Sequence, residues 1–179
     1  LEELGFSTDG AYSKYIKVDA RYLWNIDHLE TLFGKKKMFE LGSLVEPTSV
    51  AYNAVIERGG GIRPGENVVI LGGGPIGAAA CAILKRQGAA SGILSEPSPS
   101  RREMALSMGA THAINPLEVN AAEAVLDITD GYGAGIILEA TGLPGIVWPD
   151  VEKIIWEGKA LNTTVVVVAR ADDRIPLNG

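Results

Sequence analysis

Between Val68 and Gly77 the chain reads VVILGGGPIG: an apolar run, three consecutive glycines, a proline, and then a helical rhythm that lasts to Gln87. No other stretch restricts the fold as strongly. Gly72, Gly74 and Gly77 are spaced G-x-G-x-x-G, and each has its own task. Gly72 permits the tight turn out of a strand. Gly74 offers no side chain, so two linked phosphates can approach the backbone. Gly77 lets the helix pack against the strand it follows. Free N–H groups and the positive end of the helix dipole, at Pro75 and Ile76, then face the anion. Pro75 suits the first turn because its missing N–H would have had no partner there.

The same strand-then-helix pattern continues. Short β-branched runs predict strands at Val68–Leu71, Gly92–Ser95, His112–Ile114, Gly135–Leu138 and Thr164–Val168. Helices are predicted at Ile76–Gln87, Pro99–Met108, Glu118–Thr129 and Gly145–Glu157. The strands are almost continuously apolar, as when helices cover both faces of a sheet. The fold class is α/β: a Rossmann-type, doubly wound parallel sheet with helices on both faces. The front of the chain reads differently. GAYSKYIKV, Gly10–Val18, alternates like a half-exposed strand, and residues after Pro47 look helical, with Val50, Ala54 and Val55 on one face. Residues 1–42 are therefore expected to be the remnant of a β-rich unit and its connection, and residues 43–179 the phosphate-binding domain, truncated at its C-terminal end.

Glu96 ends the second strand nineteen positions after Gly77. An acid there is suited to hydrogen-bond ribose hydroxyls and to repel a 2′-phosphate, so NAD is expected over NADP. Arg101 and Arg102 are the opposing signal, since arginine can hold such a phosphate; Arg102 reads as solvated helix surface. A net charge of −6 argues against a nucleic-acid partner. Lys35–Lys37 reads as a solvated turn or helix end. No apolar run reaches the roughly 20 residues of a membrane span. The single cysteine, Cys81, reads as packing and suits a reducing, cytoplasmic setting. The first residue is leucine, and the chain is expected to be a piece of something longer.

A nucleotide fold does not name a reaction. The Tyr-x-x-x-Lys pair of short-chain dehydrogenases is absent: four residues beyond Tyr12, Tyr22, Tyr52 and Tyr132 stands isoleucine, and beyond Tyr15 stands Asp19. Methyltransferases also use a glycine loop and a following acid, but their cofactor has no pyrophosphate to match the three-glycine spacing. GIRPGENVVILGGGPIG, SEPSPSRREMALSMGATHAINP and LEATG, in that order, resemble the coenzyme domain of the medium-chain zinc-type alcohol and polyol dehydrogenases, among them sorbitol, threonine and inositol-type members. LVEPTSVAYNAV resembles the segment leading into that domain, and GAYSKYIKV the closing strand of the catalytic domain. The resemblance implies that the Gly72–Gly77 loop holds pyrophosphate, Glu96 the ribose, and Arg101 the adenosine flank. It also implies that Thr141, Gly142, Val168, Ala169 and Val50 border the nicotinamide.

In the polyol-type members an acid in the "EP" pair stands beside a catalytic zinc, which makes Glu46 the candidate metal residue by resemblance. Its other reading is a charge at a helix start. The family's upstream cysteine and His-Glu pair have no counterpart here: His28 is followed by Leu29 and His112 by Ala113. One carboxylate does not make a catalytic zinc site, which takes about three protein ligands. The resemblance implies a parent that oxidises a secondary alcohol, a polyol or cyclitol, to a ketone by hydride transfer to NAD with zinc assistance. This chain alone is expected to be inactive. Two alternatives remain open: a stand-alone NAD-binding or dimerisation module, and the cofactor domain of a non-zinc, quinone-reductase-like member. RIPLNG, Arg174–Gly179, reads as an edge strand through which a homodimer is expected.

Overall fold

The computed structural model describes residues 4, 5 and 7–169. The chain divides into two compact units, Leu1–Ser43 and Leu44–Gly179.

The second unit is built on five parallel strands, β1 (Asn67–Leu71), β2 (Ser91–Ser95), β3 (His112–Ile114), β4 (Ile136–Glu139) and β5 (Thr164–Val167). Their order across the sheet is β3-β2-β1-β4-β5. The chain steps outward from β1 to β3 and then crosses back to lay β4 on the other side of β1. The two halves part between β1 and β4, where ligands bind in sheets of this kind. Register brings the strand ends level: Leu71 lies opposite Ser95 on one side and Glu139 on the other. The residues that follow, Gly72, Glu96 and Ala140, therefore emerge side by side.

Alternation along β1 sorts the core. Val68 and Ile70 pack with α3 (Val45–Tyr52), α4 (Pro75–Gln87) and α5 (Pro99–Met108). Val69 and Leu71 pack on the other face with α6 (Ala121–Ile128) and α7 (Pro144–Glu157). Both faces are thus covered, and the near-continuous apolar strands follow from that. Each fully buried aliphatic side chain contributes about 1.5–3 kcal/mol of burial free energy.

Within this second unit three elements depart from the sequence expectation. Helix α6 begins at Ala121 rather than Glu118, because the Asn120 side chain accepts the Glu123 N–H at 2.9 Å and caps the helix there. Helix α3 starts two residues before Pro47 and runs on as a π-helical turn, Asn53–Arg58. Its buried face is Ala51, Ala54 and Val55, with Val50 only half-buried. Strand β5 stops at Val167, although the Val168 N–H still donates to the Glu139 carbonyl at 2.9 Å. The remaining strands and helices begin and end within a residue of expectation. Arg174–Gly179 lies outside the described residues.

The first unit holds a 3-10 turn, Ala20–Tyr22, and two short helices, α1 (His28–Phe33) and α2 (Lys35–Gly42). Met38 is its one buried hydrophobic residue among those described. The strand expected at Gly10–Val18 does not form; the segment is bent and irregular. Alternation makes a strand only beside a partner edge, and among the described residues none pairs with it. Lys35–Lys37 forms the exposed first turn of α2. No helix among the described residues is long and apolar enough to cross a membrane.

Candidate functional site

A cleft of about 520 Å³ opens at the level strand ends. Gly72 and Gly74 border it from the β1–α4 turn, Glu96, Pro97 and Arg101 from the end of β2 and α5, and Thr141 from the end of β4. A larger hollow of about 590 Å³ in the first unit is lined by Leu4, Tyr15 and Lys17 among others. Chemistry, not size, marks the cleft. It joins a helix start, a buried carboxylate and a guanidinium.

The three spaced glycines separate by what surrounds them. Gly72 has φ +102°, and a Cβ there would sit 2.9 Å from the Ala140 carbonyl oxygen. At Gly77 a Cβ would fall 2.0 Å from the Gly72 carbonyl oxygen. Both are demanded by the fold. Gly74 is different. It has φ −67° and ψ −175°, an extended conformation any residue adopts, and nothing lies within 4 Å of its would-be Cβ. Among the described residues nothing crowds this position or demands a glycine there. The open space beside it borders the cleft, in front of α4, which Gly74 opens without a side-chain cap. That is a cradle a methyl group would fill, and it fits a pyrophosphate.

Glu96 is buried, 4% exposed. Its Oε2 accepts the Gly73 N–H at 2.7 Å and its Oε1 the Ser98 N–H at 2.8 Å, and Arg101 Nη1 stands 3.8 Å from Oε2. A carboxylate has about four acceptor positions, so capacity remains for ribose hydroxyls. The spacing argument passed over Gly73, the middle glycine. A Cβ there would lie 2.9 Å from Glu96 Cγ, so this glycine makes room for the acid. Three glycines in a row, where the motif needs only two of them, was the available signal. Arg102 corrects its sequence reading. It is half-buried, and its Nη1 donates to the Glu96 carbonyl at 2.8 Å and the Pro97 carbonyl at 2.6 Å. The guanidinium ties down the turn that carries Glu96 instead of pointing into water.

Glu139 was also missed. It is fully buried at the end of β4, and its Oε1 accepts from both the backbone N–H and the hydroxyl of Thr141, while Oε2 has no partner. The Thr141 hydroxyl in turn accepts the Leu143 N–H at 2.9 Å. This chain of bonds holds the turn between β4 and α7 against the cleft. An acid closing an otherwise apolar strand, in LEATG, was the sequence cue.

The remaining expected cofactor residues divide. Pro75 and Ile76 form the first turn of α4 beside Gly74. Gly142 follows Thr141 with φ +73°. Val50 and Val168 border a second cavity, about 440 Å³, together with Ser49, Asn53, Arg58 and Val166. Ala169 is half-buried just beyond. Glu46 is exposed in the first turn of α3. Among the described residues no three His, Cys, Asp or Glu side chains gather where they could hold a metal. His28 and His112 are exposed, the latter with Nδ1 2.9 Å from the Thr111 hydroxyl. Cys81 is fully buried in the core, and burial pushes its thiol up to about 12.

Residues 75–160 match the zinc-binding dehydrogenase family. The scyllo-inosose 3-dehydrogenase of Thermotoga maritima is 60% identical over all 179 residues, which span 45% of that protein. An L-threonine 3-dehydrogenase of Caldanaerobacter subterraneus is 34% identical over 98% of this chain and 46% of its own length. A solved structure from Thermotoga maritima, assigned there as an alcohol dehydrogenase, superposes with a TM-score of 0.90 at 60% identity, over 99% of this chain and 45% of that one. The chain therefore spans a little under half the length of the relatives it matches.

Proposed function

Because the chain belongs to the zinc-binding dehydrogenase family, we propose that it forms the NAD-binding part of an oxidoreductase acting on a secondary alcohol of the polyol or cyclitol class. The observation that carries the dinucleotide reading is Gly74, a glycine with open space at its Cβ position and a helix start behind it. Bound NAD supplies the hydride acceptor. This chain's part is to hold and orient it. The loop from Gly72 to Gly77, with the first turn of α4 at Pro75 and Ile76, receives the pyrophosphate. Glu96, steadied by Gly73, Ser98 and Arg101, accepts from the adenosine ribose and disfavours a 2′-phosphate. Thr141 and Gly142 guide the ligand past the end of β4. Val168, Ala169 and Val50 border the nicotinamide half, in the cavity beside β5.

The family's zinc does not fit the residues described here. Glu46 stands exposed, and among the described residues it belongs to no cluster of three His, Cys, Asp or Glu side chains that could hold the ion. Substrate class rests on likeness: the 60% identical relative is named for scyllo-inosose. A homodimer belongs to the same proposal, through the edge strand read at Arg174–Gly179, which lies outside the described residues.

Titration of the 179-residue chain with NADH, followed by nicotinamide fluorescence and calorimetry, tests the central claim. One saturable site per chain is expected, with no alcohol-dependent NAD reduction by this chain alone. Absence of binding at millimolar NADH sinks the reading. Light scattering that gives a monomer at high protein concentration sinks the dimer.

A further inference from the structure

One stripe of α7 faces the cleft: Leu143, Ile146, Val147 and Asp150, at positions i, i+3, i+4 and i+7. Three are apolar and the fourth is a carboxylate. Across the same cleft the turn after β3 contributes Pro116 and Leu117. Leu117 and Ile146 are 81% and 71% exposed. Two large aliphatic side chains held open at one mouth suit the faces of a flat, apolar ring. Asp150 stands one helical turn beyond Ile146, about 6 Å further along the axis.

Glu96, Arg101 and Thr141, which line the same cleft, already have partners. Glu96 holds the Gly73 and Ser98 N–H groups, with Arg101 beside it. The Thr141 hydroxyl lies between Glu139 and the Leu143 N–H. Asp150 is the remaining carboxylate. Partial burial raises its pKa above the ordinary aspartate value, against the lowering influence of the Ala122 backbone N–H at the start of α6 and of Lys153 on the next turn. A carboxylate that has lost part of its water in an apolar slot keeps acceptor positions for a donor brought by a ligand.

We propose that Asp150 reads the base of the dinucleotide, accepting an N–H of the adenine 6-amino group while Leu117 and Ile146 hold the ring. This rests on the dinucleotide reading above. It adds a specificity residue that the glycine loop and Glu96 do not supply. A base with a 6-amino group brings a donor to the carboxylate; hypoxanthine brings a 6-oxo acceptor to that position, and its N1–H donor lies one ring position away, so the bond at position 6 is lost. Sites built around such a bond reject the analogue that lacks it.

Nicotinamide hypoxanthine dinucleotide is the probe. Calorimetry on the intact chain should show NAD binding at least about tenfold tighter, as expected when a charge-assisted hydrogen bond is lost. Asp150→Asn keeps the shape and an oxygen for the Ala122 N–H, and its amide can donate to a 6-oxo group. Its preference should fall to within about threefold, with its melting temperature little changed. A purely structural role at the start of α6 would leave the base preference intact. Equal wild-type affinity for the two dinucleotides overturns the proposal and leaves NAD binding standing, as does an Asp150→Asn chain that keeps the full preference. Failure of both dinucleotides to bind overturns the underlying reading and this one with it. Should Asp150→Asn not fold, the wild-type comparison decides alone, repeated with AMP against IMP.

Discussion

Alanine at Gly74 and alanine at Gly77 should have opposite consequences, although the two residues are three positions apart in one motif. At Gly77 the new Cβ meets the Gly72 carbonyl oxygen at 2.0 Å, its carbon at 3.1 Å and Ile70 Cγ2 at 3.3 Å. The obstacle is backbone, so the start of α4 must move off β1 by about 1 Å or more. Overpacking of that kind costs about 3 kcal/mol, or about 6–12 °C in melting temperature for a chain of this size. At Gly74 the backbone already lies at φ −67°, ψ −175°, and the Cβ enters open space. Folding then gains about 0.4–1 kcal/mol, because alanine restricts the unfolded chain. Yet the methyl group occupies the approach to the helix start. A pyrophosphate displaced by a bond length loses at least one charge-assisted N–H bond of about 1.5–3 kcal/mol, which is at least a tenfold loss of NADH affinity. Urea melts and fluorescence titration on the same samples read both quantities. A Gly74→Ala chain that binds NADH like wild type would refute the reasoning, because the open space would then have no ligand to explain it. So would a Gly74→Ala chain as unstable as Gly77→Ala.

The wild-type chain should bind NAD about tenfold or more tighter than NADP, and Glu96→Gln should narrow that ratio; quoting a ratio cancels the affinity lost in common when a Gly73 or Ser98 bond weakens. An unchanged ratio in calorimetry removes Glu96 from cofactor choice. Arg102→Met, which keeps the stem and loses the donors to the Glu96 and Pro97 carbonyls, should lower stability by about 1–2 kcal/mol in urea melts; a smaller change in NADH affinity should accompany it, and no change in either would return Arg102 to the solvated surface. Cys81 makes the chain sensitive to alkali. Its folded thiol is raised to about 12 from 9.0, so between those values the unfolded chain has lost a proton that the folded chain keeps. Stability due to this group is whole below pH 9 and falls by about 1.4 kcal/mol per pH unit above it. Cys81→Ala should remove that slope from the difference between two pH-stability curves, and parallel curves would contradict the burial account.

What could be read from the sequence follows the range over which each constraint acts. The βα units, with their glycine turn, were legible because short β-branched apolar runs, the helical rhythm between them and the proline at the first turn are all local. Strands β1 to β5 appeared within a residue of expectation for that reason. The bent course of Gly10–Val18 was not legible, because alternation describes a strand only once a partner edge is given. Gly73 was missed because it acts on Glu96, whose nearness in space depends on β2 lying beside β1, and Arg102 was misread because its bonds to the Glu96 and Pro97 carbonyls form only through the particular turn between β2 and α5. Asp150 is the extreme case. On its own helix it is one polar position next to Pro149, with no motif around it. It reaches the cleft only because the chain crosses from β3 over β1 to lay down β4, which turns the Leu143–Asp150 stripe of α7 toward the strand ends. The proposed phosphate site is written in a short run of glycines, since it would be made by backbone conformation alone. The proposed base recognition would draw on Leu117 from the turn after β3 and on Ile146 and Asp150 from successive turns of α7, a grouping visible only when strand order is known.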